Sequence, residues 1–186
     1  MTRQTDEAIA RMVQGGDVEA FGALVDRYTS KMERYAYKFL FGYDDRQDMV
    51  QSVFVKAYTN IQSFDTRRPF SPWLYRIAHN EFISAIKKNG REAIPFFDPD
   101  TLLPHPVSLE HATSDAELRE LHEMLEACLG RLSPKYREVL VLFYYEEMDY
   151  ESIADVLLVP VSTVGVRLRR AREALKKEYQ AHNPIT

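Results

Sequence analysis

Residues 149–177 read DYESIADVLLVPVSTVGVRLRRAREALKK, and this stretch decides the fold. Asp149 is placed to cap a helix, its carboxylate accepting from the unpaired amides of the first turn, and Ile153, Ala154, Val156 and Leu157 follow at helical spacing. Leu158, Val159 and Pro160 interrupt that helix, because proline has no amide to donate into it and disfavours the helical region for the residue before it. A second helix begins just beyond. In it Val164, Leu168, Ala171 and Leu175 share one apolar stripe, while Ser162, Val166, Arg169, Arg170 and Glu173 project from the opposite side. Two short helices, a tight turn and a basic outer face predict a helix-turn-helix.

A basic amphipathic helix also suits the solvated surface of an ordinary bundle or a partner-binding helix. The turn favours a different use, since two helices at a large angle form the unit whose second helix enters a major groove. Arg167, Arg169, Arg170 and Arg172 on or near that helix make phosphate neutralisation and guanine contact available to duplex DNA.

The 186-residue chain has apolar content for packed cores and reads as two small helical units rather than one large one. No run has the apolar length to span a bilayer, so no membrane insertion is expected. The opening MTRQTDEAIA is too polar for a secretory signal, which predicts a soluble, cytoplasmic chain. Cys128 is the sole cysteine, excluding an intrachain disulfide, and no Cys/His cluster has zinc-ligand spacing; neither metal nor cofactor is expected. His79, His105, His111, His122 and His182 are scattered, and neither a nucleophile–base pattern nor a phosphate loop is present, so no catalytic residues are assigned. The net charge of -4 argues against indiscriminate coating of nucleic acid and predicts local or partner-assisted DNA binding.

From the start of the chain, Ala8, Ile9, Met12 and Val13 form a short stripe stopped by Gly15 and Gly16. Asp17 is placed to cap a longer helix faced by Phe21, Leu24, Val25, Tyr28, Met32, Tyr35, Ala36 and Phe39, aromatics most simply read as core. Asp44 or Asp45 opens a third helix whose inner face is Met49, Val50, Val53, Phe54, Ala57, Tyr58 and Ile61, with Asp48, Gln51, Ser52 and Lys56 off the stripe. After the loop SFDTRRP, Ser71 as cap and Pro72 at the first helical position predict a fourth helix carrying Trp73, Leu74, Ile77, Ala78 and Phe82 to the cationic end at Lys87 and Lys88. Residues 91–113 lose periodicity and hold Pro95, Pro99, Pro104 and Pro106. Structureless stretches longer than about 12 to 15 residues are uncommon inside compact domains, so this reads as a flexible Pro-rich linker. Ser114 with Glu117 makes a capping box for a helix faced by Leu118, Leu121, Met124, Leu125 and Cys128 and closed by Gly130. Ser133 and Pro134 start the next helix, with Val139, Leu140, Leu142 and Phe143 inward. The expected architecture is all-α: a helical domain over 1–90, the linker over 91–113, and a second helical domain over 114–186 containing the helix-turn-helix.

Four motifs stand in order: DMVQSVFVKAY, SFDTRRPFSPWLYRIAHN, RLSPKYREVL and DYESIADVLLVPVSTVGVRLRRAREAL. Together they resemble the extracytoplasmic-function (ECF) subfamily of sigma-70 family RNA polymerase sigma factors, over nearly the whole chain. The resemblance implies a first domain that binds the clamp helices of the polymerase beta-prime subunit and melts the minus-10 promoter element. It implies a second that reads the minus-35 element as duplex, with the flap of the beta subunit as a further partner and an anti-sigma factor as a possible regulator. On this sequence, minus-35 contacts fall to Pro160, Ser162, Thr163, Val166, Arg167, Arg169 and Arg170. Minus-10 contacts fall to Asn60, Phe64, Arg67, Arg68, Trp73, Arg76, Ile77 and Asn80, with Phe64 offering a stacking face. Polymerase contacts fall to Asp48, Gln51, Ser52 and Lys56. The chain departs from the family at Phe143, where a basic residue is frequent; at Glu147 and Leu158, where glycine is common; and at Gly165 and Val166, where Lys or Arg followed by Ser is usual. A non-standard minus-35 preference is therefore expected. The competing reading is a stand-alone helix-turn-helix regulator, which would bind promoter DNA tightly without polymerase.

Overall fold

The structure is a computed structural model that describes residues 4–40, 45–88 and 115–182, all helical or connecting turns, with no strand among the described residues. The proposed linker and the Ser114 cap lie outside them. Among the described residues, four helices build the first unit: α1 (Asp6–Gln14), α2 (Ala20–Phe39), α3 (Arg46–Asn60) and α4 (Phe70–Lys88), with a 3-10 turn over Ile61–Ser63. Thr5 caps α1 by accepting from the Ala8 amide, and Asp17 accepts from Ala20 at the head of α2. The apolar stripes meet as anticipated, with Leu24, Met32, Ala36, Phe39, Val53, Leu74, Ala78 and Phe82 all buried. Tyr58 alone of the α3 stripe turns outward, and its ring meets Phe21 edge-on at 5.2 Å between centroids.

One boundary is corrected. Helix α4 begins at Phe70, so Ser71 sits inside its first turn rather than capping it, and Pro72 takes the third helical position rather than the first. The reason is not local. The Phe70 amide donates to Glu7 Oε1 at 3.0 Å, so a carboxylate from α1 does the capping work expected of Ser71.

The second unit comprises α5 (Asp115–Arg131), α6 (Pro134–Leu140), α7 (Tyr150–Leu157) and α8 (Val161–His182). Helix α5 runs one residue past Gly130, and Pro134 occupies the first position of α6. Between α6 and α7 the chain makes a wide π-type turn over Val141–Tyr145, with the Glu146 amide donating to Val141 O at 3.1 Å and Met148 to Leu142 O at 3.0 Å. Glu147 then takes φ 52°, and Leu158, ending α7, takes φ 53°. Both are left-handed conformations that cost non-glycine residues about 1–2 kcal/mol, so the bends that glycine would ease are kept without it.

The two units are packed on each other. Helices α2 and α4 of the first lie against α5, α6, the π-turn and α7 of the second. Arg137 is buried in this seam: it donates to Leu129 O, Gly130 O and Leu132 O around the α5–α6 turn and, at 2.9 Å, to Phe39 O at the end of α2. Burial pulls its guanidinium down to about 10, which still leaves it charged at neutral pH.

Candidate nucleic-acid and polymerase interfaces

The helix-turn-helix forms as its sequence dictates. Asp149 accepts from the Ser152 amide at 2.8 Å, and the hydrogen bonds from Ser152 hold the carboxyl below the usual range. Ile153, Val156 and Leu157 are buried. The left-handed Leu158 ends α7, and the Val159 amide returns to Ala154 O at 3.2 Å. Pro160 O accepts from Thr163 and Val164, starting α8. Along α8, Val164, Leu168 and Ala171 are each 0% exposed. Ser162, Val166 and Arg169 stand exposed on the opposite side, Pro160 is exposed at the helix start, and Thr163, Arg167 and Arg170 are half-buried on the flank. Arg172 leaves that face on the other flank, its guanidinium 5.5 Å from the ring centroids of both Phe143 and Tyr144. A Cβ on Gly165 would meet Tyr150 Cε2 at 3.6 Å, ordinary contact, so packing does not demand glycine there.

In the first unit, the loop from the 3-10 turn to α4 is pinned from α1. Gln14 Nε2 donates to Ile61 O at 2.7 Å and Phe64 O at 2.8 Å, and Arg11 reaches Thr66 at 3.3 Å. The stacking face expected at Phe64 is not available. Its ring is 5% exposed, edge-on to Phe70 and tilted against Trp73, because three aromatics on one loop and helix start bury one another. Trp73 is the half-exposed ring of this cluster. Arg76 and Ile77 are half-buried and Asn80 is exposed on α4. Asn60 is exposed at the end of α3, its amide donating to Lys56 O at 2.8 Å. Arg67 is folded onto Asp65, with contacts of 2.8 and 2.9 Å, and these hydrogen bonds lower the Asp65 carboxyl to about 2. Arg68 points to Asp155 on α7 at 3.8 Å.

The off-stripe residues of α3 divide into two rows. Asp48 and Gln51 are exposed, with Val55 continuing their row at 57% exposure. Ser52 and Lys56 both engage Glu81 of α4, so that row already has an intramolecular partner. No group of His, Cys, Asp or Glu suited to a metal ion occurs among the described residues. No described helix is long and apolar enough to cross a membrane.

Sequence reasoning missed a polar seam between the units. Among the described residues, the charged residues buried as a whole are Lys38, Arg137 and Glu138, all three lie there, and the Glu146 side chain is buried beside them. Glu138 of α6 accepts from the Tyr35 hydroxyl of α2 and lies 2.6 Å from His79 Nδ1 of α4. Glu146 accepts from Arg34 through both oxygens, at 3.0 and 2.9 Å, and from the Tyr75 hydroxyl. Burial, then the neighbouring carboxylates, pushes both tyrosine hydroxyls well up. Lys38 pairs with Glu126 beneath the Tyr145 ring.

A pinned aromatic loop in one helical unit and an exposed recognition helix in another are what a promoter-reading subunit needs, and comparison with known proteins agrees. Residues 24–92 match sigma-70 region 2 and residues 122–175 match sigma-70 region 4. The ECF RNA polymerase sigma factor SigW of Bacillus subtilis is 36% identical, over 90% of this chain and 93% of that protein. The RNA polymerase sigma-H factor of Pseudomonas aeruginosa is 33% identical, over 97% of this chain and 96% of its own. Among solved structures, CnrH in complex with the cytosolic domain of CnrY superposes with a TM-score of 0.71 at 29% identity, covering 96% of this chain and 99% of that one. The fold is also shared with the sigma factor RpoE of Bartonella quintana, solved with the anti-sigma factor NepR, at a TM-score of 0.65 over 86% of this chain and 96% of that one, with 24% identity. The chain belongs to the sigma-70 family, as a member of its ECF sigma factors. Such a chain directs RNA polymerase core to specific promoters and aids melting for transcription initiation, engaging polymerase and promoter DNA.

Proposed function

We propose that this sigma factor divides its work at residues 1–90, 91–113 and 114–186. The last segment reads the minus-35 duplex with α8, placing Ser162, Val166 and Arg169 in the major groove. Pro160, Thr163, Arg167 and Arg170 serve the flanking contacts, and Val166 replaces a hydroxyl contact with a methyl one. The observation that carries this reading is the sidedness of α8, with Val164, Leu168 and Ala171 wholly buried and Ser162, Val166 and Arg169 exposed opposite them.

The first segment captures an unpaired minus-10 base. Extrusion costs a few kcal/mol of stacking and pairing, which a shaped pocket must return. Trp73, rather than the buried Phe64, offers the ring face; Asn80 and Asn60 offer amide donors and acceptors; Ile77 walls the site; Arg76, Arg67 and Arg68 meet phosphate. The α3 row of Asp48 and Gln51 docks on the beta-prime clamp helices, with Ser52 and Lys56 braced by Glu81 at its border. The second unit docks on the beta flap. Nucleotidyl transfer is left to the polymerase, and the chain works in the cytoplasm, with an anti-sigma factor a candidate regulator.

The test is footprinting with purified core polymerase. Protection of duplex at minus 35 together with permanganate-reactive thymines at minus 10, both requiring chain and core, is expected. Tight promoter protection by the chain alone would instead favour the stand-alone regulator.

A further inference from the structure

Arg172 is an exposed cation on α8 that no carboxylate among the described residues holds. Its guanidinium lies 5.5 Å from the ring centroid of Phe143 and 5.5 Å from that of Tyr144, and the two rings stand at 88° with their centroids 5.0 Å apart. The side chain therefore rests in the corner of two perpendicular aromatic rings. The backbone builds that corner. The π-type turn over Val141–Tyr145 brings Phe143 and Tyr144 beside α8 while Leu142 stays in the core, and Tyr150, at the start of α7, backs Phe143 edge-on at 5.7 Å. Phe143 is half-buried and Tyr144 is 55% exposed, so the corner is fixed at its base and open at its rim.

An arginine held in this way differs from one held by a carboxylate. Asp65 engages Arg67, and Glu146 engages Arg34, through the N–H groups that a further anion would need, and each carboxylate offsets the positive charge. Aromatic faces attract a guanidinium without neutralising it and without occupying its N–H donors. They also restrict a long side chain before any ligand arrives, so less freedom is lost on binding.

The place of Arg172 on the helix says which anion it suits. It follows Arg169 by three residues, which sets it about 60° round α8 and about 4.5 Å further along the axis. Ser162, Val166 and Arg169 form the centre of the exposed face. A helix with its side chains is about 10–12 Å across and the major groove about 12 Å wide, so residues at the centre of an inserted face meet base edges and those to its side meet the phosphate wall.

We propose that Arg172, positioned by the Phe143–Tyr144 corner, contacts a backbone phosphate at the edge of the minus-35 duplex and supplies from α8 the cation that position 143 of this chain lacks. The inference rests on the minus-35 reading of α8 and adds to it a contact that is blind to base sequence. Phe143 is a positioning residue that acts through Arg172.

The test is a titration of holoenzyme, assembled from the full chain and core polymerase, with promoter duplex over a range of salt. Arg172→Gln should lower the slope of log affinity against log salt by about 0.9, so that between about 50 and 200 mM salt wild type loses about three- to fourfold more affinity than the variant. The loss at low salt should be the same for every minus-35 sequence, and Arg172→Lys should keep the wild-type slope. Phe143→Leu, which keeps the apolar volume and removes the ring, should weaken binding about two- to fivefold in the wild-type background and no further in the Arg172→Gln background. An unchanged slope in Arg172→Gln, whatever its melting midpoint, would overturn the contact, as would a changed preference at a single base position. Equal losses from Phe143→Leu in both backgrounds would overturn the positioning role. Arg169→Ala in the same titration separates this proposal from the reading beneath it. Weakened binding by Arg169→Ala beside wild-type binding by Arg172→Gln removes the proposal alone, whereas wild-type binding by both removes the minus-35 reading of α8 as well.

Discussion

Adjacent residues on α8 should separate folding from DNA recognition. Leu168 is 0% exposed on α8, the helix that packs on α6 and α7, and Leu168→Ala removes buried methyl and methylene groups from the core, a change that costs about 2–5 kcal/mol. At about 2–4 °C per kcal/mol for a chain of this size, the midpoint of thermal unfolding should fall by about 4 °C or more. Arg169 stands exposed one step round the helix, where substitutions change stability by no more than about 0.5 kcal/mol. If its guanidinium makes a two-pronged guanine contact, Arg169→Ala should cost about 1–3 kcal/mol of promoter affinity. If it meets phosphate, the loss should be uniform across sequences, and the slope of log affinity against log salt should drop by about 0.9. Holoenzyme titrations on duplex minus-35 DNA at three salt concentrations, paired with thermal melts, distinguish these outcomes. Arg169→Ala melting as early as Leu168→Ala, or binding as wild type at every salt, would refute the orientation of α8.

Three further outcomes are expected. Asp48→Lys with Gln51→Ala should weaken core-polymerase binding at least tenfold without lowering the melting midpoint, since both are exposed on α3; unchanged affinity in a fluorescence titration would remove that row from the interface. Asn80→Ala should flatten base preference at one minus-10 position, while Arg67→Ala weakens all promoters alike. Intact preference in a transcription profile of the Asn80 variant would count against the pocket. Gly165→Ala should stabilise the chain by about 0.5–1 kcal/mol, because the new methyl meets Tyr150 at an unstrained distance and helical glycine is costly; a lower melting midpoint would mean the site is tighter than 3.6 Å implies.

The helices and their inward faces were legible in the sequence because their causes are local. Asp149, Asp17 and Pro134 act within a turn of where they stand, and the α8 stripe of Val164, Leu168 and Ala171 is periodicity alone. What escaped depends on partners distant in the chain. Glu138 in SPKYREVL looks like a solvated helix charge until Tyr35, 103 residues earlier, closes over it. The start of α4 was misplaced because Glu7, 63 residues away, supplies the cap. Phe64 illustrates a second limit: an aromatic beside two others reads equally as a stacking platform or as core, and only packing against Phe70 and Trp73 decides for core. Glu147 and Leu158 show that a bend can persist with the residue that eases it replaced.

Run-off transcription with purified core polymerase on a library randomised at both promoter elements tests the central claim most directly. Core alone should start without preference. Adding this chain should yield transcripts enriched for one duplex element and one melted element, with Arg169→Ala altering selection only at the first and Asn80→Ala only at the second. Transcripts that show no dependence on the chain, or enrichment at a single element untouched by either substitution, would contradict the account.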